Sequence, residues 1–180
     1  FFYFFINKEN TEQQLFMNEL KAQRLGEHLI LEIKEQNYDR LREIKSTSFI
    51  QHDFQAFEKL HNIAFPQTYY DAKTITERLS HECILKVLKT EDNELQGYAY
   101  FEIDTEMAEA SVEYIAISPN AQNQGLGTML LKEVLTEMFS YSQIKEIKLC
   151  VDNSNSQANH VYMKAGFEPK NILISYHLKQ

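Results

Sequence analysis

Gln122-Asn-Gln-Gly-Leu-Gly127 is the stretch whose residue types and spacing could do chemistry. Gly125 and Gly127 remove side chains from a turn, so a ligand can approach the backbone closely. Leu126, Leu130, Leu131, Val134, Leu135 and Met138 then recur at helical spacing, which predicts a helix starting near Gly125. Ahead of the turn, Ser111 to Ile117 reads as a buried strand that Pro119 and Asn120 stop. A helix start presents N–H groups without partners and the positive end of the macrodipole. Strand, glycine turn and helix start together suit a phosphate or pyrophosphate. Two glycines alone serve equally well as a purely conformational turn. The common phosphate motifs are missing. Thr128 follows Gly127 without the lysine of a P-loop, and Leu130 stands where a dinucleotide fingerprint has its third glycine.

A second segment has the same logic. Val151-Asp-Asn-Ser-Asn155 closes a strand, Ser156 to Lys164 has a helical pattern, and Ala165-Gly166-Phe167 ends it. Taken together, Gln-x-x-Gly-x-Gly after Ile-Ser-Pro, then Asn155, Ala158, Tyr162, Lys164, Gly166 and Phe167 one helix and one strand later, resemble the GNAT superfamily of N-acetyltransferases. The resemblance covers roughly residues 48 to 178 on element spacing. It implies an α/β (α+β) fold with a mixed, mostly antiparallel central sheet flanked by helices. Residues 46–180 would be the acetyltransferase domain and 1–45 an N-terminal strand–helix–strand extension. That extension faintly echoes the segment from Val151 onward, so it reads either as a dimerisation or core-extending element or as the tail of a degenerate preceding domain.

The resemblance also implies a reaction: transfer of acetyl from acetyl-CoA to a primary amine by direct attack in a ternary complex, with no metal. The backbone at Ile115, Ala116 and Ile117 would meet the pantetheine arm, and the N–H of Ile115 would polarise the thioester. The N–H groups of Gln122, Asn123, Gln124, Gly125, Leu126, Gly127 and Thr128 would hold the pyrophosphate. Asn155 matches the family asparagine near the pantetheine, and as a strand-to-helix residue it also suits an N-cap. Tyr162 matches the position from which many relatives protonate the leaving thiolate; a phenol keeps its proton at neutral pH. Its plain reading is a helix tyrosine packed in the core.

The candidate base is Glu113, directly or through water, because Ser111 stands near the position where many relatives place a glutamate. Simple alternation would put Glu109, Ser111, Glu113, Ile115 and Ile117 on one face. An exposed carboxylate is the rival reading of Glu113. Tyr69 and Tyr70 lie in the loop that lines the acceptor pocket of such proteins, or they are ordinary half-buried aromatics. The loop departs from the family in having Asn123 and Gln124 where relatives carry Arg or Lys. Two rivals follow from these departures: an acyl-CoA binder without turnover, and an interaction subunit built on the N-terminal extension. His61 and His81 have no partner motif and receive no role.

The composition limits the alternatives. The chain has 180 residues, 43% hydrophobic and 24% charged, with a net charge of −8. That length supports one domain with a substantial core. An acidic surface argues against nucleic acid or an anionic membrane and mildly favours a cationic amine. Cys83 and Cys150 sit in apolar runs and read as small buried core residues, with neither disulfide nor metal spacing. The expected compartment is the cytoplasm, because Phe1 to Ile6 is too short to span a bilayer and lacks a basic start.

The remaining elements follow from periodicity. Phe1 to Ile6 reads as a buried strand. Glu9 to Leu25 reads as a helix capped by Asn10 or Thr11 and ended by Gly26. Leu29 to Ile33 reads as a strand and Tyr38 to Ile44 as a polar helix. Ser46 to Ile50 is a short strand. Asp53 caps a helix to Ala64, with Phe54, Phe57, Leu60, His61 and Ala64 inward, and Asp71 starts a second one to about His81. Strands follow at Cys83 to Leu88, Leu95 to Ile103, Ile144 to Val151 and Ile172 to Leu178. Gly97 predicts a bulge or a close backbone approach.

Overall fold

The structure, a computed structural model, describes residues 2–178. In chain order it runs β1 (Phe2–Asn7), α1 (Thr11–Glu19), β2 (Gln23–Lys34), β3 (Thr47–Ser48), α2 (Phe54–Ala64), α3 (Ala72–Arg78), β4 (Cys83–Lys89), β5 (Leu95–Asp104), β6 (Glu109–Ile117), α4 (Leu126–Met138), β7 (Glu146–Asp152), α5 (Ser156–Ala165) and β8 (Glu168–Leu178). The expected class holds: antiparallel strands flanked by helices. They form two four-stranded sheets, in the orders β3-β4-β5-β6 and β1-β8-β2-β7. Two compact units divide the chain. Residues 34–147 form one, and of the described residues 2–33 and 148–178 form the other. In the second sheet β2 lies between β8 and β7.

The unit of residues 34–147 is built on β5. Alternation along Leu95–Asp104 sends Tyr98 and Tyr100 to one face, where they pack with Phe57, Leu60, Ile75, Leu85 and Val87. Phe57, Leu60 and His61 of α2 turn inward at helical spacing, while Phe54 is half-buried and Ala64 is exposed. Gly97 is a close approach: an added Cβ would lie 2.8 Å from the Ala116 carbonyl oxygen on β6. Asp71 caps α3 as expected, its carboxylate accepting from the Thr74 N–H at 2.7 Å. Asp53 precedes α2 but makes no side-chain cap. Its carboxylate instead accepts from the Ile50 N–H and pairs with Lys89 at 2.6 Å.

The Tyr38 to Ile44 stretch is not an α-helix. A single 3-10 turn at Glu35–Asn37 precedes it, and the chain is then tied down residue by residue. The Tyr38 hydroxyl donates to the Lys132 carbonyl at 2.5 Å, and the Leu41 N–H donates to Thr136 Oγ1. Glu133, buried on α4, accepts from the Lys45 and Ser46 N–H groups at 2.8 and 2.9 Å. These tertiary bonds replace the ones a short helix would have made, and helix propensity over a few residues is too weak to resist them.

In the other unit α1 is shorter than its apolar pattern suggested. Asn10 caps it, but Lys21 takes a left-handed conformation (φ 53°) and the chain becomes β2 at Gln23. Gly26 therefore lies inside a strand rather than at a helix end. β1 is an edge strand paired only with β8, so Phe2, Tyr3 and Phe5 are exposed and the expected buried strand is half wrong. Phe1 lies outside the described residues. Ile6, Met17, Ile174 and Tyr176 form the core on the helix side. Cys150 is exposed on β7, against the expected core position, and Cys83 is partly buried.

Candidate functional site

The Gln122–Thr128 turn leads into α4 with Gly125 at the N-cap position, φ 78°, and no side chain caps the helix. Asn123 is also left-handed, φ 62°, which asparagine tolerates better than most residues. Gln122 to Gly125 are exposed, and no acidic residue stands in the first turn of α4. The first N–H groups of a thirteen-residue helix are thus left without side-chain competition. The Gln122 amide donates to the Ile117 carbonyl at 3.0 Å and folds the turn back on its strand.

β6 is the edge of its sheet. Ser118 N–H donates to the Gln96 carbonyl at 2.8 Å. Along an antiparallel ladder, the residues facing β5 with their N–H and C=O are then Ser118, Ala116 and Tyr114. Ile115 and Ile117 turn theirs to the open edge. An extended amide-containing ligand could add there as an extra strand.

A bulge changes the faces of this strand. Tyr100 pairs with Tyr114 and Phe101 with Val112, so Glu113 is left without a partner. Ser111 consequently shares the face of Glu102, Tyr100 and Tyr98, while Ile115 and Ile117 lie on the opposite one, registered with Ala99 and Gly97. The single face expected for Glu109 through Ile117 is corrected by that one inserted residue. Glu113 is exposed, and its carboxylate accepts from the Ser111 hydroxyl at 2.5 Å.

The bulged face carries a polar network that sequence reasoning missed. His61 is fully buried. Its Nε2 lies 2.9 Å from the Tyr70 carbonyl, which can only accept, so Nε2 bears the hydrogen. Nδ1 then accepts from the Tyr98 hydroxyl at 2.5 Å. The Tyr114 hydroxyl receives the Thr68 hydroxyl at 2.6 Å and the Tyr70 N–H at 3.2 Å. The loop holding Tyr69 and Tyr70 is therefore latched twice onto the sheet. Arg78 grips Glu102 with one nitrogen at 2.8 and 3.0 Å, reaches the Tyr100 hydroxyl, and stacks 4.5 Å over the Tyr70 ring. The Tyr100 and Glu102 bonds hold Arg78 firmly protonated. Burial pushes the Tyr98 and Tyr100 phenols up. Tyr69 is 87% exposed and Tyr70 half-buried. The available signal was the period-two run Tyr98, Tyr100, Glu102 on a strand, facing the His61 side of α2.

Asn155 and Tyr162 belong to the other compact unit. Asn155 caps α5, its side chain accepting from the Ala158 N–H at 3.1 Å. Tyr162 packs edge-on to Phe167 at 5.7 Å, and burial raises its phenol above the ordinary value. Among the described residues, no cluster of three or more His, Cys, Asp or Glu side chains is arranged to hold a metal ion.

Residues 38–167 match the model of the Acetyltransferase (GNAT) family. The chain belongs to that family. Solved structures are similar at the level of fold. A GCN5-related N-acetyltransferase from Sphaerobacter thermophilus matches with TM-score 0.75 and 16% identity, over 97% of this chain and 58% of that one. A tandem GNAT protein from the clavulanic acid biosynthesis pathway matches with TM-score 0.71 and 11% identity, over 97% and 62%. The ribosomal-protein-S18-alanine N-acetyltransferase of Escherichia coli matches with TM-score 0.57 and 21% identity, over 75% and 94%. The chain thus spans about three fifths of the first two.

Proposed function

We propose that the protein moves the acetyl group of acetyl-CoA onto a primary amine of a small molecule or peptide, by direct attack in a ternary complex. Acyl transfer is the chemistry of the family. The observation that carries the finer reading is the uncapped start of α4 beside the open edge of β6. The turn N–H groups of Gln122 to Thr128 suit the pyrophosphate, and the outward backbone of Ile115 and Ile117 suits the pantetheine amides.

The residues then have defined tasks. Ile115 N–H donates to the thioester oxygen as negative charge develops there. Glu113, or water held by it, takes a proton from the attacking amine, so the carbon–nitrogen bond forms from a neutral amine. Tyr162 gives its proton to sulfur as the carbon–sulfur bond breaks, and burial, which pushes its phenol above the ordinary value, keeps that proton in place until then. Asn155 orients the pantetheine while capping α5. Tyr69 and Tyr70, held by Tyr114 and His61, line the amine side.

Two features favour a second reading, a binder without turnover. The turn carries Asn123 and Gln124 in place of cations, and Glu113 is exposed on a bulge. Thermal unfolding with and without millimolar acetyl-CoA tests the binding, since a ligand of the folded state raises its stability by mass action, by about 2.7 kcal/mol at a hundredfold excess over Kd. Release of CoA upon adding a panel of amines separates enzyme from binder. No thermal shift at saturation removes both readings.

A further inference from the structure

Ser111 has a task that the proposed reaction leaves to water. The strand around it is irregular. Tyr100 pairs with Tyr114 and Phe101 with Val112, so the bulge brings Ser111 and Tyr114, three residues apart, to the face of Tyr98, Tyr100 and Glu102. In a regular strand they would stand on opposite faces. Ser111 is the Cα partner of Glu102 on β5. Two carboxylates therefore flank it, Glu102 across the ladder and Glu113 two residues on.

The two carboxylates are not equivalent. Glu102 is fully engaged. Its Oε1 accepts from Arg78 at 2.8 Å and from the Tyr100 hydroxyl at 2.5 Å, and its Oε2 accepts from Arg78 at 3.0 Å. The Tyr100 and Glu102 bonds keep Arg78 protonated, so the charge of Glu102 is cancelled in place. Glu113 is exposed and, among the described residues, makes no ion pair. The side-chain hydrogen bond it accepts comes from Ser111, at 2.5 Å.

The direction of that bond decides what Ser111 can do. An ionised carboxylate only accepts, so the single hydrogen of Ser111 Oγ lies toward Glu113. Toward anything else Ser111 presents lone pairs. Glu102 cannot use them, because it has no hydrogen to give. The hydroxyl is an open acceptor coupled to an uncompensated, exposed base. An ammonium group, with three N–H donors and a positive charge, complements that pair. The loop assigned to the amine side reaches the same place. Burial raises the Tyr70 phenol above its ordinary value, Arg78 opposes this, and the charges of Glu102 and Glu113 add to it. Among the described residues the Tyr70 hydroxyl has no hydrogen-bond partner, although its backbone is held at both N–H and C=O.

We propose that Ser111 is a catalytic residue, the relay through which Glu113 deprotonates the acceptor amine. This relay, which rests on the acetyl-transfer reading, takes the place of its water. The incoming ammonium donates one N–H to Ser111 Oγ. That proton moves to Ser111 Oγ as the Ser111 hydrogen moves to Glu113. One N–H and one O–H bond break and two O–H bonds form. The serine is regenerated, the nitrogen keeps the lone pair that attacks the thioester carbon, and exposed Glu113 passes its proton to solvent. Glu113 stands two residues from Ile115, within about 7 Å along an extended strand, so the proton leaves beside the carbon under attack. Ser111, Glu113 and Ile115 all belong to the unit of residues 34–147.

The test measures CoA release with spermidine, lysine, glycylglycine and butylamine as amine probes. It compares the complete chain with its Ser111→Ala, Ser111→Thr, Glu113→Gln and doubly substituted Ser111→Ala, Glu113→Gln forms. Near neutral pH, Ser111→Ala and Glu113→Gln each lower kcat about a hundredfold, and the double form loses no more than either. Ser111→Thr keeps the hydroxyl and recovers most of the rate. In mixtures of light and heavy water the unsubstituted chain gives a bowed rate curve, because two protons move together, and Ser111→Ala gives a straight line. The thermal shift caused by acetyl-CoA is the same in every form, which separates a lost relay from a lost fold or cofactor site. Turnover by Ser111→Ala close to that of the unsubstituted chain, with Glu113→Gln still impaired, overturns the relay and leaves Glu113 acting without it. Losses that multiply in the double form overturn it too, since the two residues then act separately. An acetyl group found on Ser111 by mass spectrometry after incubation with acetyl-CoA overturns it by making the serine a nucleophile. A chain that shows the thermal shift but releases no CoA with any of the four amines fails as a transferase, and the relay falls with that reading.

Discussion

Tyr162 and Tyr114 are both tyrosines of half-buried positions, yet their hydroxyls have different work. In the proposed reaction nothing but proton delivery is asked of the Tyr162 hydroxyl. Tyr162→Phe is expected to lower kcat about a hundredfold or more, with the KM for acetyl-CoA little changed, in a steady-state CoA-release assay. Loss of cofactor binding instead would give Tyr162 a packing role. Tyr114 accepts two hydrogen bonds from the Thr68–Tyr70 loop. Tyr114→Phe leaves the Tyr70 N–H unpaired and should cost about 1–3 kcal/mol of stability. It should also raise the KM for the amine more than the KM for acetyl-CoA. The buried phenols set an alkaline limit. Burial raises Tyr98 and Tyr100, so between the ordinary value near 10 and their folded values the native state holds protons that the unfolded state has released. Stability is therefore full below about pH 10 and falls as pH rises beyond it, by up to about 1.4 kcal/mol per pH unit for each group. Urea titrations across that range should show a shallower decline for Tyr98→Phe.

At the scale of elements, caps and close approaches decide where the proposed site residues stand. Asn155 fixes the start of α5, and with it the position of Tyr162 two turns on. Asn155→Ala should cost about 1 kcal/mol through the lost cap. If it also weakens acetyl-CoA binding more than that instability explains, the asparagine touches the ligand. Gly97 lets β5 and β6 approach, and the Cβ of Gly97→Ala would strike both Ile117 Cδ1 and the Ala116 carbonyl. A lower unfolding temperature and a weakened cofactor shift are expected together if β6 carries the proposed pantetheine edge. Motif spacing made the α4 turn, the β6 strand and the Asn155 cap legible in advance. The bulge at Glu113 was not, because one extra residue in a strand leaves no mark on an alternation of Ser, Val, Glu, Tyr and Ile.

For the whole molecule, the N-terminal segment is a partner strand as well as an extension. β2 stands between β8 and β7, with Glu27, His28 and Leu29 in register with residues of β8. A chain starting at residue 46 should therefore lose its cooperative unfolding transition, and limited proteolysis should cut within residues 148–178. Retention of a protease-resistant C-terminal half would show that β7 and β8 can close without β2. No described helix is long and apolar enough to cross a membrane.

The sequence by itself determined the family, the strand, glycine turn and helix that run through Gly125, and the order of strands and helices from Phe54 to Phe167. These follow from local chemistry: glycine at a left-handed position, asparagine at a cap, apolar periods of two and of about three and a half. Only the tertiary structure decided which way β6 faces after its bulge, and that His61 is a buried, hydrogen-bonded latch. The same holds for the tying of the Tyr38 to Ile44 stretch to α4 and for the pairing of β2 with β8. Each of these depends on groups far apart in sequence. Hydrogen bonds such as Tyr38 to Lys132 or Lys8 to Ile172 leave no local signal for their partners.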